Sequence, residues 1–240
     1  MSKNGISTSQ RLHEQLGKII AETPPGERLL TEPELAKQLS VSRATLREAM
    51  RTFETQGLIY RHQGSGTFVI HPSQVIDTGL EVLESIETLS KRIGLAVSMG
   101  DLKIDHRPAT EEVARALSIQ PNDHVLHVAR VIHAEGRPVA YLIDILPEGI
   151  LSTTEMTAGF TGSVLDQLLK RGTPTLVSSR CEINAVQASI EEAKALRIQR
   201  GDELLRFKAY LYASNGRVVD YSFSYFLPGY FNFHVIRRVG

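Results

Sequence analysis

The first part of the chain carries hydrophobic residues at a helical spacing. Apolar residues at positions 12, 16, 19 and 20 follow the i, i+4, i+7, i+8 pattern of a buried helical stripe. This pattern predicts a first helix from about Ser7 to Glu22. The helix is predicted to end at Thr23-Pro24-Pro25-Gly26, because proline and glycine interrupt helical geometry.

Two shorter helices are predicted next. Thr31-Glu32-Pro33-Glu34 has the spacing of a capping box, with proline in the tolerated first turn, and predicts a helix that opens at Thr31. Ser42 is suited to cap a third helix, from Arg43 to about Gln56, which is predicted to end at Gly57.

A hairpin is predicted after the third helix. Its strands are Leu58–His62 and Thr67–Ile70, and Gln63-Gly64-Ser65-Gly66 between them is suited to a hairpin tip. Two helices joined by a short turn and followed by a hairpin predict a winged helix-turn-helix domain over residues 1–70.

A connecting segment is predicted over residues 71–94. Residues 71–77 lack a strong period and are predicted to form a linker. Apolar residues at positions 80, 83, 86 and 89 then predict a short helix that ends at Gly94. Residues 95–240 are predicted to form a second domain.

The second predicted domain contains an internal repeat. Leu102–Pro147 and Glu182–Pro228 align with a shift of about 80 residues, and each is predicted to form strand, helix, turn, strand, hairpin, strand. A further helix, Ser163–Arg171, lies between the copies. Two copies suit one α+β domain whose halves pool their strands into an antiparallel sheet.

Composition is that of an ordinary globular protein. The chain has 42% hydrophobic and 22% charged residues and a net charge of zero. No apolar run reaches the ~20 residues of a membrane-spanning helix, and the first residues lack the apolar stretch of a signal peptide. The single cysteine, Cys181, cannot form an internal disulfide. A cytoplasmic protein is therefore expected.

Positive charge is concentrated on the third predicted helix. Residues 1–70 carry a net charge of +2 and the remainder −2, which is a small difference. Arg43, Arg47 and Arg51, however, recur on one helix. An arginine near the start of such a helix can bond O6 and N7 of guanine, a contact worth ~1–3 kcal/mol of base discrimination. Spacing alone leaves open that these arginines form an ordinary solvated face.

The stretch from Pro25 to Val69 resembles the winged-helix domain of the GntR family of repressors. The matching pieces are Pro25-Gly26, Glu34-Leu35-Ala36, Val41-Ser42-Arg43-x-Thr45-Leu46-Arg47, Gly57-Leu58-Ile59 and Gly64-x-Gly66-Thr67-Phe68-Val69. In that family the residues matching these arginines, the Ser/Thr positions beside them and the wing-tip glycines contact operator DNA. With the charge argument above, the predicted DNA-binding set is Thr31, Ser42, Arg43, Ala44, Thr45, Arg47, Arg51, Gln63, Gly64, Ser65, Gly66 and Thr67.

One position departs from the family pattern. Pro33 stands where the family usually has an arginine that touches DNA from the second helix. The departure predicts a change in operator sequence, although not a loss of DNA binding.

Residues 80–240 resemble the UTRA effector domain of the HutC-type branch of this family. The resemblance rests on the two repeat copies, the hairpin segment from Arg130 to Ala140, the helix start Ser163-Val164-Leu165 and the strand from Val219 to Phe226. It implies a chorismate-lyase-like fold that binds a small metabolite, in several members a sugar phosphate or an organic acid. The candidate effector-binding set is Arg130, Asp144, Thr161, Gly162, Ser163, Asp220, Tyr221, Ser222 and Tyr225.

The residue types in this set favour an anionic effector. Thr161-Gly162-Ser163 opens a helix with free N–H groups and a positive dipole end, and Arg130 supplies a guanidinium fork suited to carboxylate or phosphate. Phosphosugar-binding members carry a second arginine where this chain has Ile132, so a monoanionic or less charged effector is favoured. A simple helix cap at Ser163 and a surface strand residue at Arg130 are the alternatives.

The favoured function is a DNA-binding repressor. A homodimer is predicted to place two winged helices on a palindromic operator, and effector binding is predicted to change operator affinity through residues 71–94. The lyase-like fold raises an enzyme as an alternative, but the sequence has no nucleophile elbow, full dinucleotide fingerprint or zinc-ligand spacing. We therefore predict no enzyme activity, metal or cofactor. A second domain that only dimerises is the other alternative.

Overall fold

The chain folds into two compact units. One lies within residues 1–75 and 228–230, and the other within residues 76–227 and 231–240. The structure is a computed structural model that describes residues 8–24, 26–55, 58–62, 65–69, 76–93, 95–157, 160 and 162–235.

The first unit has the predicted winged helix-turn-helix order. Its elements are α1 (Thr8–Glu22), α2 (Glu32–Gln38), α3 (Arg43–Thr55), β1 (Ile59–His62) and β2 (Gly66–Val69). The two strands pair antiparallel, with Arg61 opposite Thr67. The positions Gln56, Gly57 and Ile70, which the sequence placed at element ends, lie outside the described residues.

One hydrophobic core holds the first unit together. Leu16 of α1, Leu35 of α2, Leu46 and Met50 of α3 and Ile59 of β1 have no exposed surface and pack in one cluster. Burying an apolar stripe on each helix leaves the other side of α3 in solvent. The hydrophobic pattern therefore decides which residues α3 exposes.

The second unit contains thirteen of the described elements, and the repeat predicted from the sequence lies among them. They are β3 (Ile76–Gly79), α4 (Ile86–Ile93), β4 (Val97–Pro108), α5 (Glu111–Leu117), β5 (His124–Ala134), β6 (Arg137–Pro147), α6 (Thr153–Thr157), α7 (Val164–Arg171), β7 (Leu176–Gln187), α8 (Ile190–Leu196), β8 (Glu203–Ala213), β9 (Val218–Phe226) and β10 (Phe231–His234). None of the described helices is long and apolar enough to cross a membrane.

Six strands form one antiparallel sheet in the order β4-β5-β6-β9-β8-β7. The first copy of the repeat contributes β4, α5, β5 and β6, and the second contributes β7, α8, β8 and β9. The copies meet at β6 and β9 in the middle of the sheet. The predicted duplicated α+β fold with a pooled antiparallel sheet is confirmed.

Each copy of the repeat places its helix on a strand of the other copy. Helix α5 packs on β9, and α8 packs on β6. Tyr221 Oη on β9 donates to Glu112 Oε1 on α5 at 2.8 Å, and Tyr141 Oη on β6 donates to Glu191 Oε1 on α8 at 2.8 Å. The two pairs occupy equivalent positions in the two copies, so the halves interlock.

The turn after each repeat helix explains the aspartates that recur in the sequence. Gln120 N–H donates to Asp123 Oδ2, and Gln199 N–H donates to Asp202 Oδ2, both at 2.9 Å. A side-chain acceptor that bonds backbone three residues earlier stabilises such a turn.

The segment between the predicted domains differs from the prediction. Residues 76 and 77, assigned to the linker, begin β3, which pairs parallel with β10. Helix α4 starts only at Ile86, because Ser85 Oγ accepts from the Thr88 N–H at 3.0 Å and ends the non-helical segment. Leu80 and Leu83, predicted to lie on this helix, precede it and are exposed.

Candidate functional site

The start of α3 presents a continuous exposed polar surface. Ser42 caps the helix, since its Oγ accepts from the Thr45 N–H at 3.1 Å. The residues of this turn that are exposed are Ser42, Arg43, Ala44, Thr45 and Arg47. The first turn of a recognition helix is the part that reaches base edges in a major groove. The structure thus brings together five of the predicted DNA-binding residues on one surface.

The arginines on α3 differ in their partners. Arg47 Nε donates to Glu32 Oε2 of α2 at 2.6 Å. Arg51 is half-buried, and one of its Nη atoms lies 3.4 Å from Glu48 Oε1. Within the described part of the chain, Arg43 forms no ion pair and is exposed. Arg43 is therefore the α3 arginine whose charge is least compensated by the protein itself.

Glu32 also links α3 to the wing. Arg61 of β1 lies 3.8 Å from Glu32 Oε1 and 3.6 Å from Glu54 Oε2, and its Nη2 donates to the carbonyl of Arg47 at 3.3 Å. The sequence does not predict this network, because its members come from three elements. A sequence signal was nevertheless present: Glu32 is an acidic residue in the first turn of α2, and the helix that follows, α3, carries several arginines.

Thr31 is exposed but its hydroxyl is engaged. It donates to Glu34 Oε2 at 2.6 Å, and the Thr31 N–H donates to the same oxygen at 2.9 Å. These two hydrogen bonds lower the pKa of Glu34 below its usual value. The predicted capping interaction at Thr31 therefore forms, and Glu34 engages both the hydroxyl and the backbone N–H of Thr31.

The wing depends on a glycine. Gly66 has a φ of +118°, and a Cβ at this position would lie 2.4 Å from Arg28 Nε. Arg28 is exposed beside the wing and was not predicted to take part in the DNA surface. Ser65 is exposed, whereas Thr67 is only 7% exposed, so its side chain faces the protein rather than DNA. Gln63 and Gly64 lie outside the described residues.

In the second unit, three predicted effector residues meet on one face of the sheet. Arg130 of β5 forms an ion pair with Asp144 of β6. Asp144 is opposite Ser222 of β9 in the register, and Asp220 lies two residues before Ser222 on the same face. Arg130, Asp144 and Asp220 are each at most 8% exposed. Arg130 is therefore not a surface strand residue.

Asp220 is the most perturbed group of this site. Burial, followed by the charge of the neighbouring Asp144, raises its pKa well above the usual value. Its Oδ1 is buried and has no hydrogen-bond partner among the described residues. The Nε of Arg130 is in the same condition. Buried polar atoms without partners are uncommon in folded proteins and point to a missing partner.

The start of α7 forms a second wall. Ser163, 2% exposed, caps the helix by accepting from the Asp166 N–H at 2.9 Å. Gly162 is buried with a φ of +110°, and the Glu87 Oε1 of α4 lies 2.7 Å from where its Cβ would be. The first turns of α4 and α7 are joined by Ser85, whose Oγ donates to Asp166 Oδ2 at 2.7 Å. Thr161 lies outside the described residues.

Glu87 belongs to this site although the sequence did not point to it. Burial raises its pKa, while the charge of Arg130 lowers it and those of Asp166 and Asp144 raise it further. Its Oε1 is buried and has no partner among the described residues. We call Glu87, Arg130, Asp144 and Asp220 the Arg130 cluster.

Two predicted effector residues point away from the Arg130 cluster. Tyr221 and Tyr225 alternate with Asp220 and Ser222 along β9, so they face the opposite side of the sheet. Tyr221 bonds Glu112 there, and the Tyr225 ring packs against Tyr141 with centroids 6.3 Å apart. The structure therefore does not bring these two tyrosines to the Arg130 cluster: Tyr221 bonds α5, and Tyr225 packs beside Tyr141, which bonds α8.

No metal-binding group is found in the described part of the chain, where no three or more His, Cys, Asp and Glu side chains are arranged to hold an ion. Cys181 on β7 is a free, exposed thiol.

A winged helix that exposes arginines, joined to a separate α+β unit with a buried polar cluster, defines the class of DNA-binding transcription regulators. Residues 93–232 match the family described as "UTRA domain", and residues 8–69 match "Bacterial regulatory proteins, gntR family". The chain therefore belongs to the GntR family, in the HutC-type branch that carries a UTRA domain. The resemblance drawn from its motifs is confirmed.

The similar proteins are named as transcription regulators, and the matches cover most of their length. The chain is 28% identical to the HTH-type transcriptional repressor NagR of Bacillus subtilis over 91% of this chain and 89% of that protein. It is 28% identical to the histidine utilization repressor of Pseudomonas putida over 76% and 72% of the two chains. The crystal structure of PhnF from Mycobacterium smegmatis matches with a TM-score of 0.66 at 20% identity, covering 95% of this chain and all of that one. The chain is a transcription regulator and not an enzyme.

Proposed function

We propose that this protein is a transcriptional repressor that binds operator DNA as a homodimer and responds to a small metabolite held at the Arg130 cluster. The observation that carries the proposal is the pairing, in one chain, of an exposed Arg43 at the start of α3 with a buried cluster in which three polar atoms have no hydrogen-bond partner among the described residues. The names of the similar proteins, which are repressors, support the direction of regulation.

The proposed DNA contacts follow from the exposed start of α3. Arg43 is free to reach a guanine, Arg47 is held by Glu32, and Ser65 and Gly66 are placed on the wing. A two-fold homodimer would present two such helices to the halves of a palindromic operator. Sedimentation equilibrium should then give twice the chain mass of 26.6 kDa.

The proposed route of regulation runs through the segment 71–94. Glu87 belongs to the Arg130 cluster, and Ser85 joins the starts of α4 and α7. Both lie in the segment that precedes the UTRA domain, within the proposed division into residues 1–70, 71–94 and 95–240. A metabolite bound at the cluster would therefore act directly on α4, and a coupling of ~1–3 kcal/mol would suffice for a useful switch.

The test separates the two sites by substitution. DNA fragments selected from genomic DNA by the wild-type protein are titrated by fluorescence anisotropy, with and without a low-molecular-mass metabolite extract. The Arg43→Ala variant should bind these DNA fragments about tenfold more weakly, or weaker still. The melting temperature of this variant should still rise when the extract is added. Arg130→Met should bind DNA normally and lose the response to the extract.

Lys194→Ala, at an exposed position of α8, is the matched control and should change neither property. Normal DNA affinity in Arg43→Ala would refute the recognition surface. An extract that changes DNA affinity equally for wild type and Arg130→Met would place the sensor elsewhere. No response from either protein would favour a second unit that only dimerises.

A further inference from the structure

The Arg130 cluster contains more acidic than basic side chains, which does not suit an anionic ligand. Arg130 is its basic member, and Asp144 already forms an ion pair with it. Asp220 and Glu87 add two further carboxyl groups, and Asp166 acts on Glu87 from the start of α7. The neighbouring position on β5 that could carry a second arginine is Ile132, which is 1% exposed and apolar.

Of the three atoms of this cluster without partners among the described residues, two are carboxyl oxygens and one is the Nε donor of Arg130. Asp220, which is 5% exposed, leaves Oδ1 without a hydrogen bond in the described part of the chain. Glu87 likewise leaves Oε1 without one. A buried carboxylate oxygen is stabilised by an N–H or O–H donor, and most strongly by a charged one. A bound phosphate or carboxylate could satisfy Arg130 Nε, but it would leave the two carboxyl oxygens without a donor.

A carboxyl group of the chain lies beside the N-terminal end of α7. This is the place where the sequence predicted an anionic effector. Glu87 Oε1 lies against Gly162, the residue that precedes the cap Ser163. Carboxyl groups in this position interact favourably with the positive end of a helix dipole. The protein therefore supplies its own anion at the place where an anionic effector was expected.

From this geometry we infer that the effector carries a positively charged nitrogen, an ammonium or an amidinium-type group, which donates hydrogen bonds to Asp220 and Glu87. The inference rests on the proposed function, because it names the chemical class of ligand for the same cluster. Burial raises the pKa of both carboxyl groups, because it disfavours their charged forms. A charged donor at the cluster would stabilise those charged forms and supply the hydrogen bonds that the two oxygens lack.

Three small probes of equal shape test the charge preference directly. Acetamidinium, acetamide and acetate are planar and nearly isosteric, and they carry charges of about +1, 0 and −1 at neutral pH. Each is titrated into the full-length protein, and the backbone amide shifts of Gly162 and Ser163 are followed by NMR. Acetamidinium should bind at least about tenfold more tightly than acetate, because it alone supplies charged donors to two carboxylates.

The variants identify the groups that recognise the probe. Asp220→Asn removes a negative charge with little change in shape, and should weaken acetamidinium binding about tenfold. Glu87→Gln is the second variant, on the half-buried start of α4, and should act in the same direction. Glu203→Gln, at an exposed position of β8, is the control and should leave binding unchanged.

Each other outcome overturns the inference in a distinct way. Tighter binding of acetate than of acetamidinium would make the cluster an anion site, and the proposed function would stand. Equal binding of all three probes would show that charge does not select the ligand. If none shifts Gly162 or Ser163 while metabolite extract still changes DNA affinity through Arg130, the effector class is wrong. If extract has no effect either, the proposed function fails with it.

Discussion

Glu32 reduces the positive charge that the proposed DNA-binding surface presents. Its carboxylate bonds Arg47 at 2.6 Å and lies within 3.8 Å of Arg61, so it partly neutralises two arginines that a phosphate backbone would attract. Arg43, which forms no ion pair in the described part of the chain, and Arg47, which is held by Glu32, therefore differ in the charge that they can offer to DNA. The sequence alone presents both as arginines of one helix.

Glu32→Gln should increase affinity for non-specific DNA. Arg47 is largely exposed and such pairs contribute only ~0.2–1 kcal/mol, so we expect an increase of about two- to fivefold at low salt. Anisotropy titrations with random-sequence duplexes measure it. Glu22→Gln, which removes the exposed partner of Lys18 on α1, is the control. Unchanged affinity in Glu32→Gln would show that the pair does not compete with DNA.

Asp220 should make the stability of the protein depend on pH. Its pKa is raised in the folded state, so the folded state holds this proton more tightly than the unfolded chain does. The free energy of unfolding should then fall as pH rises from the unfolded value, ~3.9, through the raised folded value. Glu87 contributes with the same sign.

Asp220→Asn removes this titration and should flatten the dependence. Urea unfolding at about pH 5 and about pH 8 measures the effect, and the variant should gain stability relative to wild type at the higher pH. The same change in stability between the two pH values for both proteins would mean that Asp220 keeps its ordinary pKa.

At the scale of elements, the stability of the wing depends on the glycine at position 66. Gly66→Ala should destabilise the wing by about 1–2 kcal/mol, because the residue has a positive φ and a Cβ would meet Arg28 at 2.4 Å. Gly17→Ala, in the interior of α1, is the matched control. Its Cβ would lie 3.4 Å from the Phe53 ring, and alanine favours the helix by up to ~1 kcal/mol.

Thermal unfolding of the two alanine variants checks this contrast. Gly66→Ala should lower the melting temperature and weaken DNA binding, whereas Gly17→Ala should leave it equal or higher. A Gly66→Ala protein as stable as wild type would show that Arg28 moves away without cost.

At the scale of the whole molecule, the two copies of the repeat depend on each other. Tyr141 and Tyr221 each bond a glutamate on the helix of the other copy. Tyr221→Phe should cost about 0.5–1.5 kcal/mol of unfolding free energy, because it removes one hydrogen bond from a fully buried ring. Urea unfolding measures the loss.

The control for this prediction is Tyr212→Phe. Tyr212 packs against the same core, and its hydroxyl forms no hydrogen bond in the described part of the chain. An equal loss in Tyr212→Phe and Tyr221→Phe would show that the contact between copies adds no stability of its own.

Much of the fold could be predicted because its signals are local. The capping residues Ser42 and Ser163 stand where the helices begin, and the repeat predicts the order of strands in each half. Position 80 was wrongly assigned to a helix. The apolar spacing of a helix continues through residues 80–84, but the helix itself begins only after the cap at Ser85. The strand pair β3 and β10 joins distant four-residue segments and leaves no local signal.

The candidate effector site was predicted only in part. Arg130, Asp144, Ser163 and Asp220 are brought to one side of the sheet, while alternation along β9 carries Tyr221 and Tyr225 to the other. The contacts of the DNA-binding residues and of the effector residues with their ligands remain predictions.

The sequence by itself determined the two kinds of unit, the exposed start of α3 and the duplication, because hydrophobic period, caps and turns act within a few residues. Only the tertiary structure decided the charge that each site presents. Glu32 bonds Arg47 from another helix, and Glu87 of α4 lies against Gly162, where the charge of Arg130 lowers its pKa. Such pairings depend on how distant segments dock, and electrostatic interactions depend on the distances and burial that docking creates.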